Sequence, residues 1–420
     1  MSVRLRDDCF ALPPGVDWTP VDEALTLLRE RLDCVTGVEQ VSLEDATGRI
    51  LSEDVLALRD NPPVANSAID GYAFAWASLG PGRDGDANLP LEPGRAAAGH
   101  PFRGAVPEGH AVRILTGAEI PAGTDTVVLQ EDASVGAGRV RFQPPRKAGA
   151  NSRGLGEDAR AGDVILTSGR RLTAADMARL ASVGVAEVPV RARLRVGVLS
   201  TGDELIQPGV SPKTSGIFDA NRPMLAALVR DFGHHPVDLG AMQDRAADIR
   251  AALDRGAKEA DAILTTGGAS AGDEDHISRL LRTEGQVTTW RIAVKPGRPL
   301  ALGMWKGVPV FGLPGNPVAA YVCSLVFARP ALALLAGAGW QEPLAFTVPA
   351  AFKKNKKPGR REYLRARLND LGEAETFHSE GSGLIGGLSW SDGLVELPDE
   401  AVDVEPGTPV RYLPYAAFGL

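Results

Sequence analysis

The sequence predicts a multidomain protein: an α/β domain built on a parallel sheet, a β-domain inserted near the N-terminus and a C-terminal β-domain. Three observations support this fold class. The chain has 420 residues, more than one hydrophobic core usually serves, and 44% of them are hydrophobic. Short valine and leucine runs, cut by glycine and proline, fill residues 61–146. From residue 194 onward, apolar strands alternate with helical segments, as in β-α-β units.

The first predicted element is an amphipathic helix. Its apolar face follows helical spacing at Val21, Ala24, Leu25, Leu28 and Leu32. Thr19 is placed to cap this helix, Pro20 suits its first turn, and Asp22 completes a capping-box pattern.

The α/β region contains three predicted strands that end in polar loops. The sequences "RVGVLSTGDEL", "PVDLGAM" and "AILTTGG" are typical of strands, and helices are predicted over residues 223–231 and 245–260. In open parallel sheets, ligands bind beyond the carboxyl ends of the strands. The loops "STGDE", "GAMQD" and "TTGGASAG" are therefore expected to meet in one crevice. The last 80 or so residues alternate again, as in "REYLRARL", and predict a separate β-domain.

Composition limits the classes of function. The 45 lysines and arginines against 53 aspartates and glutamates give a net charge of −8, which argues against a broad nucleic-acid or anionic-membrane surface. The three cysteines, Cys9, Cys34 and Cys323, suggest neither a disulfide framework nor a metal site. The N-terminus lacks a signal-peptide pattern, and the apolar run 318–328 is cut by Arg329 and Pro330. We expect a cytoplasmic protein.

Two segments of the α/β region suit an anionic ligand. In "TTGGASAGDED", residues 265–275, three glycines would let the backbone approach a ligand closely: Gly267, Gly268 and Gly272. A tight strand-to-helix turn is the more common use of such glycines, so this segment alone is a weak signal. In "WRIAVKPGRP", three cationic residues lie around a rigid Pro-Gly turn and suit a phosphate or another oxyanion: Arg291, Lys295 and Arg298. On this segment alone, a solvated surface turn without a ligand is an equal alternative.

A proline loop and a set of acids complete the candidate site. The loop "LPGNP" is rigid, and in it Asn316 can cap a helix that Pro317 begins; the loop residues are Pro314, Gly315, Asn316 and Pro317. Four acids lie in the convergent loops: Asp203, Glu204, Asp244 and Asp275. Singly, each acid is typical of a cap or a surface position. Together they suit Mg²⁺ beside phosphates.

These motifs, taken in order, resemble the molybdopterin molybdenumtransferase family, which also includes the C-terminal domain of gephyrin. The resemblance is carried by "NSAIDGYA", "RILTGAEIPAGTDTVV", "GED", "STGDEL", "TTGGASAGDED", "WRIAVKPGRP" and "GLPGNPV". It covers most of the chain, and the motifs as a set are highly specific.

The resemblance implies an elongated homodimer of four-domain chains. A split domain would comprise residues 15–58 and 150–190, an inserted β-domain 59–149, a molybdopterin-binding α/β domain 191–335, and a C-terminal β-domain 336–420. The implied reaction inserts molybdenum from molybdate into adenylated molybdopterin and releases AMP with the help of Mg²⁺. The partner subunit would complete the active site. Further candidate partners are the molybdopterin adenylyltransferase and apo-molybdoenzymes or their chaperones.

The resemblance also implies roles for particular residues. The catalytic set comprises Asp70, Thr116, Asp158, Glu204, Asp244, Asp275 and Lys295, of which Asp244 and Asp275 would bind the metal. The substrate-binding set comprises Gly267, Gly268, Ser270, Gly272, Arg291, Arg298, Pro314, Gly315, Asn316 and Pro317. Arg365 and Ser382 match positions proposed to contact molybdate.

The chain departs from the family pattern at several positions. Ala65 stands where an aspartate is usual, Ile69 replaces a methionine, Ala319 replaces a serine, and Arg298 replaces a frequent lysine. Two alternatives therefore stay open. One is a relative that uses the same α/β domain for another step, such as adenylylation of molybdopterin or hydrolysis of another nucleotide. The other is a binding or scaffold protein that has lost catalysis.

Overall fold

The computed structural model describes residues 19–80, 85–211, 216–267, 276–297 and 299–420. For residues 286–291 and 299, the description covers the backbone alone. The multidomain fold class, with mixed α/β and β-domains, is confirmed, whereas the exact domain boundaries stay predictions.

The first segment of the split region consists of one long helix followed by short elements: α1 (Val21–Arg31), β1 (Val38–Ser42), α2 (Leu43–Ala46) and β2 (Val55–Leu56). The predicted helix is present, but its predicted cap is wrong. The Thr19 hydroxyl does not cap α1; Thr19 instead forms a parallel bridge with Ile292, and its carbonyl accepts from Ala293 N at 2.9 Å. The Asp22 carboxylate binds the guanidinium of Arg361, so it completes no capping box.

The inserted β-domain follows, with the elements β3 (Asn66–Ser67), β4 (Gly71–Phe74), β5 (Ala87–Ala96), β6 (Ala111–Ile114), β7 (Thr126–Leu129), β8 (Ala133–Gly136), β9 (Arg139–Phe142) and β10 (Ser152–Arg153). Six of these strands form a sheet in the order β7-β4-β6-β5-β9-β8. Strands β3 and β10 pair separately and antiparallel, where the chain enters and leaves the domain. Among the short valine and leucine runs predicted as β-elements within residues 61–146, "DTVVLQED" contains β7 and "GRVRFQPP" contains β9.

The second segment of the split region closes onto the first through β11 (Val164–Leu166), α3 (Ala174–Ser182) and β12 (Glu187–Arg191). Strand β12 pairs with β1 and β11 with β2, both antiparallel. Helix α3 begins with a complete capping box, in which the Thr173 hydroxyl and the Asp176 carboxylate bond to each other's backbone N–H. The two segments therefore share one small core, which includes Leu51, Leu172 and Leu180.

The α/β domain contains β13 (Arg195–Thr201), β14 (Leu205–Ile206), β15 (Ile217–Phe218), α4 (Asn221–Asp231), β16 (His235–Met242), α5 (Ala246–Glu259), β17 (Ala262–Thr266), α6 (His276–Glu284), β18 (Gln286–Arg291), β19 (Val294–Lys295), β20 (Pro299–Trp305), β21 (Val308–Leu313), α7 (Pro317–Cys323) and α8 (Arg329–Leu335). Its sheet has the order β16-β13-β17-β21-β20-β18. The first four strands are parallel, as predicted for β13, β16 and β17, whereas β20 pairs antiparallel with β21, and β18 with β20, at one edge.

Helices α7 and α8 form one continuous apolar rod. A π-helical segment, Ser324–Ala328, joins them, so the expectation that Arg329 and Pro330 cut this run is wrong. A π turn accommodates Pro330, which lacks the N–H that a regular α-helix needs. By length and composition alone, Pro317–Leu335 could cross a membrane, but 83% of its most apolar window is buried inside the protein. It packs as a core helix of the α/β domain.

The C-terminal β-domain contains β22 (Phe346–Pro349), β23 (Lys354–Lys356), β24 (Arg361–Leu368), β25 (Ala374–Thr376), α9 (Gly386–Trp390), β26 (Gly393–Leu397), β27 (Val402–Val404) and β28 (Pro409–Pro414). Its main sheet has the order β19-β24-β26-β28-β22, so β19 from the α/β region supplies an edge strand. One hydrophobic core also spans this boundary, because Tyr363 and Leu413 pack in the same cluster as Leu28 of α1 and Leu325.

Candidate functional site

The loops that follow the four parallel strands meet at one edge of the sheet, as the strand pattern predicts. The backbone N–H of Gly202, after β13, donates to Met242 O at the end of β16 (3.1 Å). Gly267, after β17, has φ +84°, and a Cβ there would lie 2.2 Å from Thr201 O. A Cβ on Gly315, after β21, would lie 3.5 Å from Gly267 Cα. Glycine at 267 is therefore required by both conformation and close packing.

Asn221, the first residue of α4, fastens two of these loops together. Its Nδ2 donates to Thr266 Oγ1 and to Gly315 O, each at 2.7 Å. Asn221 is buried, with 7% exposure, and so is its partner Thr266. Because both acceptors are buried or partly buried, the amide holds the β17 and β21 loops in a fixed relation.

The proline loop has the predicted helix cap. The Asn316 side chain accepts from Val318 N at 3.2 Å, and Pro317 occupies the first turn of α7. Ala319, the departure from the family pattern, is buried on α7 with 3% exposure. Pro314 lies next to the lysine turn, because a Cβ on Gly297 would lie 3.5 Å from Pro314 Cγ.

Acidic side chains cluster at the same edge. The backbone N–H of Asp244 donates to Asp203 Oδ1 at 3.0 Å, and the Glu204 carboxylate folds back over Gly202. Burial raises the pKa of Asp244, and the Asp203 and Glu204 carboxylates raise it further, while His276 opposes them. This concentration of negative charge favours a bound cation.

The oxygen donors suit Mg²⁺, which commonly takes one or two carboxylates together with substrate phosphates. Asp244 can supply one such ligand. Asp275, the second predicted ligand, lies outside the described residues. Within the parts of the chain that the structure describes, no group of three or more His, Cys, Asp or Glu side chains is arranged to hold a metal by itself.

The turn at Lys295 directs its lysine toward the C-terminal domain. Lys295 lies in β19, parallel to β24, and Gly297 packs so tightly on α7 that an added Cβ would lie 2.6 Å from Cys323 Sγ. A cavity of about 220 Å³ lies at this junction of the two domains. It is lined from the α/β side by Lys295, Pro296 and Val318, and from the C-terminal side mainly by Lys354, Arg365 and Glu380.

Arg365 lines this cavity, but its guanidinium donates to the protein. Nη1 donates to Leu384 O at 2.5 Å, and Nη2 donates to Ser379 O at 2.6 Å and to Gly381 O at 3.1 Å. The guanidinium also stacks on the Phe377 ring at 4.8 Å. Burial lowers the pKa of Arg365. In this structure the residue organises the 379–384 loop, which carries the half-buried Ser382.

Asp70 and Thr116 form a second grouping, on the inserted β-domain. Asp70 precedes β4 and Thr116 follows β6, and these strands pair antiparallel with Gly71 opposite Ile114. Asp70 Oδ1 accepts from both Thr116 N and Thr116 Oγ1, each at 2.7 Å. The side-chain hydrogen bond from Thr116 lowers the pKa of Asp70, and the backbone one adds to it. Thr116 is exposed and Asp70 is half-buried, so the pair lies at the surface of the inserted domain, which suits contact with another molecule.

Comparisons with known proteins bear on the whole chain. Three family models match: the MoeA N-terminal region (domain I and II) over residues 19–184, a probable molybdopterin binding domain over 197–334, and the MoeA C-terminal region (domain IV) over 347–415. The chain is similar to the molybdopterin molybdenumtransferase of Haemophilus influenzae, with 36% identity over 402 residues that cover 94% of this chain and 98% of that protein. The chain belongs to the molybdopterin molybdenumtransferase family.

Two further likenesses support this membership. The crystal structure of the molybdopterin biosynthesis MoeA protein from Pyrococcus horikoshii superimposes with a TM-score of 0.83 at 28% identity, covering 95% of this chain and all of that one (100%). A gephyrin from Dictyostelium discoideum is 31% identical over 76% of this chain and 50% of its own length. The resemblance inferred from the motifs is thus confirmed.

In this molybdenumtransferase family member, the other predicted site residues are placed as follows. Asp158 lies where the inserted β-domain meets the split region, and its Oδ2 accepts from Asn61 Nδ2 at 3.0 Å. Arg291 ends β18, opposite Pro299, and is described by its backbone alone. Outside the described residues lie Gly268, Ser270, Gly272, Asp275 and Arg298. The roles assigned to all these residues stay predictions.

Sequence reasoning missed three residues that the geometry singles out: Asn221, Lys354 and Glu380. Lys354 lies within the basic run "KKNKKPGRR", which strand alternation could have divided into inward and outward side chains. Lys356 two residues later also faces inward, and its ammonium donates to the Lys357 and Glu400 carbonyls, each at 2.9 Å. For Glu380, no signal in the sequence marks the contact with Lys295, because they come from different domains.

Proposed function

We propose that this protein acts in molybdenum-cofactor biosynthesis by inserting molybdenum from molybdate into adenylated molybdopterin, with release of AMP in a step that requires Mg²⁺. The observation that carries the proposal is the convergence of the glycine and proline loops at the carboxyl edge of the α/β sheet, next to the Lys295 cavity. Family membership over nearly the full length supports the reaction class.

The chain's own residues supply binding and orientation. The backbone at Gly267 and Gly315, held by Asn221, presents a rigid surface on which a phosphate-bearing ligand can lie. Lys295, at the domain junction, offers an ammonium to an incoming oxyanion. Asp244, with its raised pKa and acidic neighbours, would help to hold Mg²⁺. When bound, Mg²⁺ supplies charge neutralisation to the diphosphate whose bond is broken.

The deciding experiment measures AMP release from adenylated molybdopterin by the purified protein, with and without molybdate and Mg²⁺. Release that needs both supports the proposal, and EDTA should then abolish it. Release without molybdate would favour another step at the same domain. Stoichiometric binding without release would favour a scaffold. Lys295→Ala should remove turnover, whereas Lys258→Ala, the same change at an exposed position of helix α5 in the same domain, should not.

We further propose a cytoplasmic homodimer in which the inserted domain of one chain completes the site of the other. Among the hydrogen bonds of the described residues, those of Asp70 and Thr116 join the two residues to each other and to the inserted β-domain, and none reaches the α/β domain of the same chain, which is consistent with contact to a second copy. Candidate partners beyond the dimer are the adenylyltransferase that supplies the substrate and the apoenzymes, or their chaperones, that receive the product.

Complementation between two inactive variants tests this arrangement. Asp70→Asn and Lys295→Ala chains would be mixed, dissociated and reassociated. If the site is shared, about one quarter of the wild-type rate should return, because half of randomly paired dimers are mixed and each has one intact site. If mixed dimers form but no activity returns, the shared-site arrangement is wrong. Asp70 and Lys295 of the same chain then belong to one site, or Asp70 is not part of the site that contains Lys295.

A further inference from the structure

The cavity at the domain junction contains two lysines whose charges the protein already neutralises. Lys295 Nζ lies 2.7 Å from Glu380 Oε2, and Lys354 donates to the other oxygen of the same carboxylate. Glu362 Oε2 lies 3.1 Å from Lys354 Nζ and 3.5 Å from Lys295 Nζ. The four side chains carry two positive and two negative charges. While Glu380 remains in place, this group of four side chains has no net charge with which to attract an entering anion.

The other lysine and arginine side chains that line this cavity, among the residues that the structure describes, are also engaged. Lys353 pairs with Glu405 at 2.6 Å, on the outside of the domain. Arg365 donates from Nη1 and Nη2 to backbone carbonyls. An oxyanion that enters the cavity must therefore compete for Lys295 and Lys354.

Glu380 is the carboxylate that can withdraw. Its side chain is 47% exposed, whereas that of Glu362 is 10% exposed and lies in strand β24. The backbone on both sides of Glu380 is held, because Arg365 Nη2 donates to Ser379 O and Gly381 O. Rotation of the side chain alone would release the two lysines, without movement of the loop.

We propose that Glu380 is an internal competitor for the oxyanion site: its carboxylate occupies the position between Lys295 and Lys354, and the incoming anion binds by displacing it. The inference rests on the proposed function, since molybdate is the anion that the reaction brings to this cavity. Glu380 then sets the affinity of the site and keeps the two lysines paired between turnovers. The hydrogen bonds from both lysines favour its charged form, although burial opposes this.

The inference predicts the affinity of two different dianions. Calorimetric titration of the full chain with molybdate, and separately with sulfate, would compare wild type with Glu380→Gln, which keeps the size of the side chain and removes its charge. Both anions should bind about fivefold more tightly to the variant, as expected for the loss of one partly exposed ion-pair competitor. The factor should be the same for both, because each anion displaces the same carboxylate.

A matched control separates competition from general charge. Glu375→Gln removes the same charge from a pair with Arg367 in the same domain (3.2 Å), and neither of these residues lines the cavity. It should leave both affinities within about twofold of wild type. Glu380→Ala, with an unchanged melting temperature, should repeat the gain and exclude an effect of the new amide.

Several results would overturn the inference. Unchanged anion binding by Glu380→Gln would mean that Glu380 does not affect the site, and weaker binding would mean that it contributes to binding. Tighter binding of one anion alone would indicate a contact specific to that anion. If neither the wild type nor any variant binds either anion, the cavity is not an oxyanion site. Failure of the proposed function is a different result: wild type would show no molybdate-dependent AMP release, whatever the anion affinities are.

Discussion

Replacing Asn221 by alanine should loosen the edge of the α/β sheet on which the proposed site stands. The substitution removes two hydrogen bonds of 2.7 Å and leaves Gly315 O and Thr266 Oγ1 without their donor in a buried environment. A buried acceptor left unsatisfied costs about 1–3 kcal/mol, so we expect a loss of about 2 kcal/mol. For a domain of this size, that corresponds to a fall of about 4–8 °C in the melting temperature.

Scanning calorimetry measures the stability effect, and AMP release measures the effect on the site. At a temperature where the variant is fully folded, its rate should fall at least about tenfold, because the loops after β17 and β21 lose their fixed relation. Asn355→Ala serves as control: Asn355 bonds Asp403 on the exposed surface, and its loss should cost less than about 0.5 kcal/mol. A wild-type melting temperature and rate for Asn221→Ala would refute the reasoning.

Three other changes have defined outcomes. Burial lowers the pKa of His234 to about 3, so below pH 6.5 the unfolded chain binds a proton that the folded chain excludes. The free energy of unfolding of the wild type should therefore fall by up to about 1.4 kcal/mol per pH unit between pH 6.5 and pH 3. In urea titrations over this range, the midpoint of His234→Gln should fall less steeply with pH than that of the wild type. Gly297→Ala places a methyl group 2.6 Å from Cys323 Sγ, at a residue whose φ is +111°. The change should lower the free energy of unfolding, measured by urea titration, by about 1–3 kcal/mol. The loss should be smaller when Cys323 is also replaced by alanine. Asp70→Asn keeps a hydrogen-bond acceptor for Thr116 but loses the charge, so AMP release should fall while circular dichroism and melting stay unchanged; full activity would remove Asp70 from the catalytic set.

The sequence predicts this fold well where one local pattern decides the structure. Strands β13, β16 and β17 and helices α4 and α5 have the predicted type, because apolar alternation and helical periodicity are local properties. The cap of Asn316 was predictable for the same reason. Prediction failed at Thr19, where a strand-like bridge to Ile292, distant in sequence, replaces the local cap.

The candidate site was predictable as a set of loops but not as a set of contacts. Glycine marks the loop at 267 because its φ of +84° demands it, and Pro317 marks the loop at 315 because it begins helix α7. The neutralisation of Lys295 by Glu380 depends on how two domains meet, which no local spacing encodes. Arg365 shows the reverse case: a guanidinium that suits an oxyanion donates instead to carbonyls of its own loop.

The placement of α1 has a consequence for how the chain is made. Its buried residues, Val21, Ala24 and Leu28, belong to the core that contains Leu325 and Leu413. During translation this apolar stripe emerges well before Leu325 and Leu413, and it waits without these partners until they have been synthesised. At about 5–20 residues per second, the wait is on the order of tens of seconds. The nascent protein thus carries α1 without these core partners until Leu325 emerges, and we expect ribosome-bound chains that end before Leu325 to engage holding chaperones through α1.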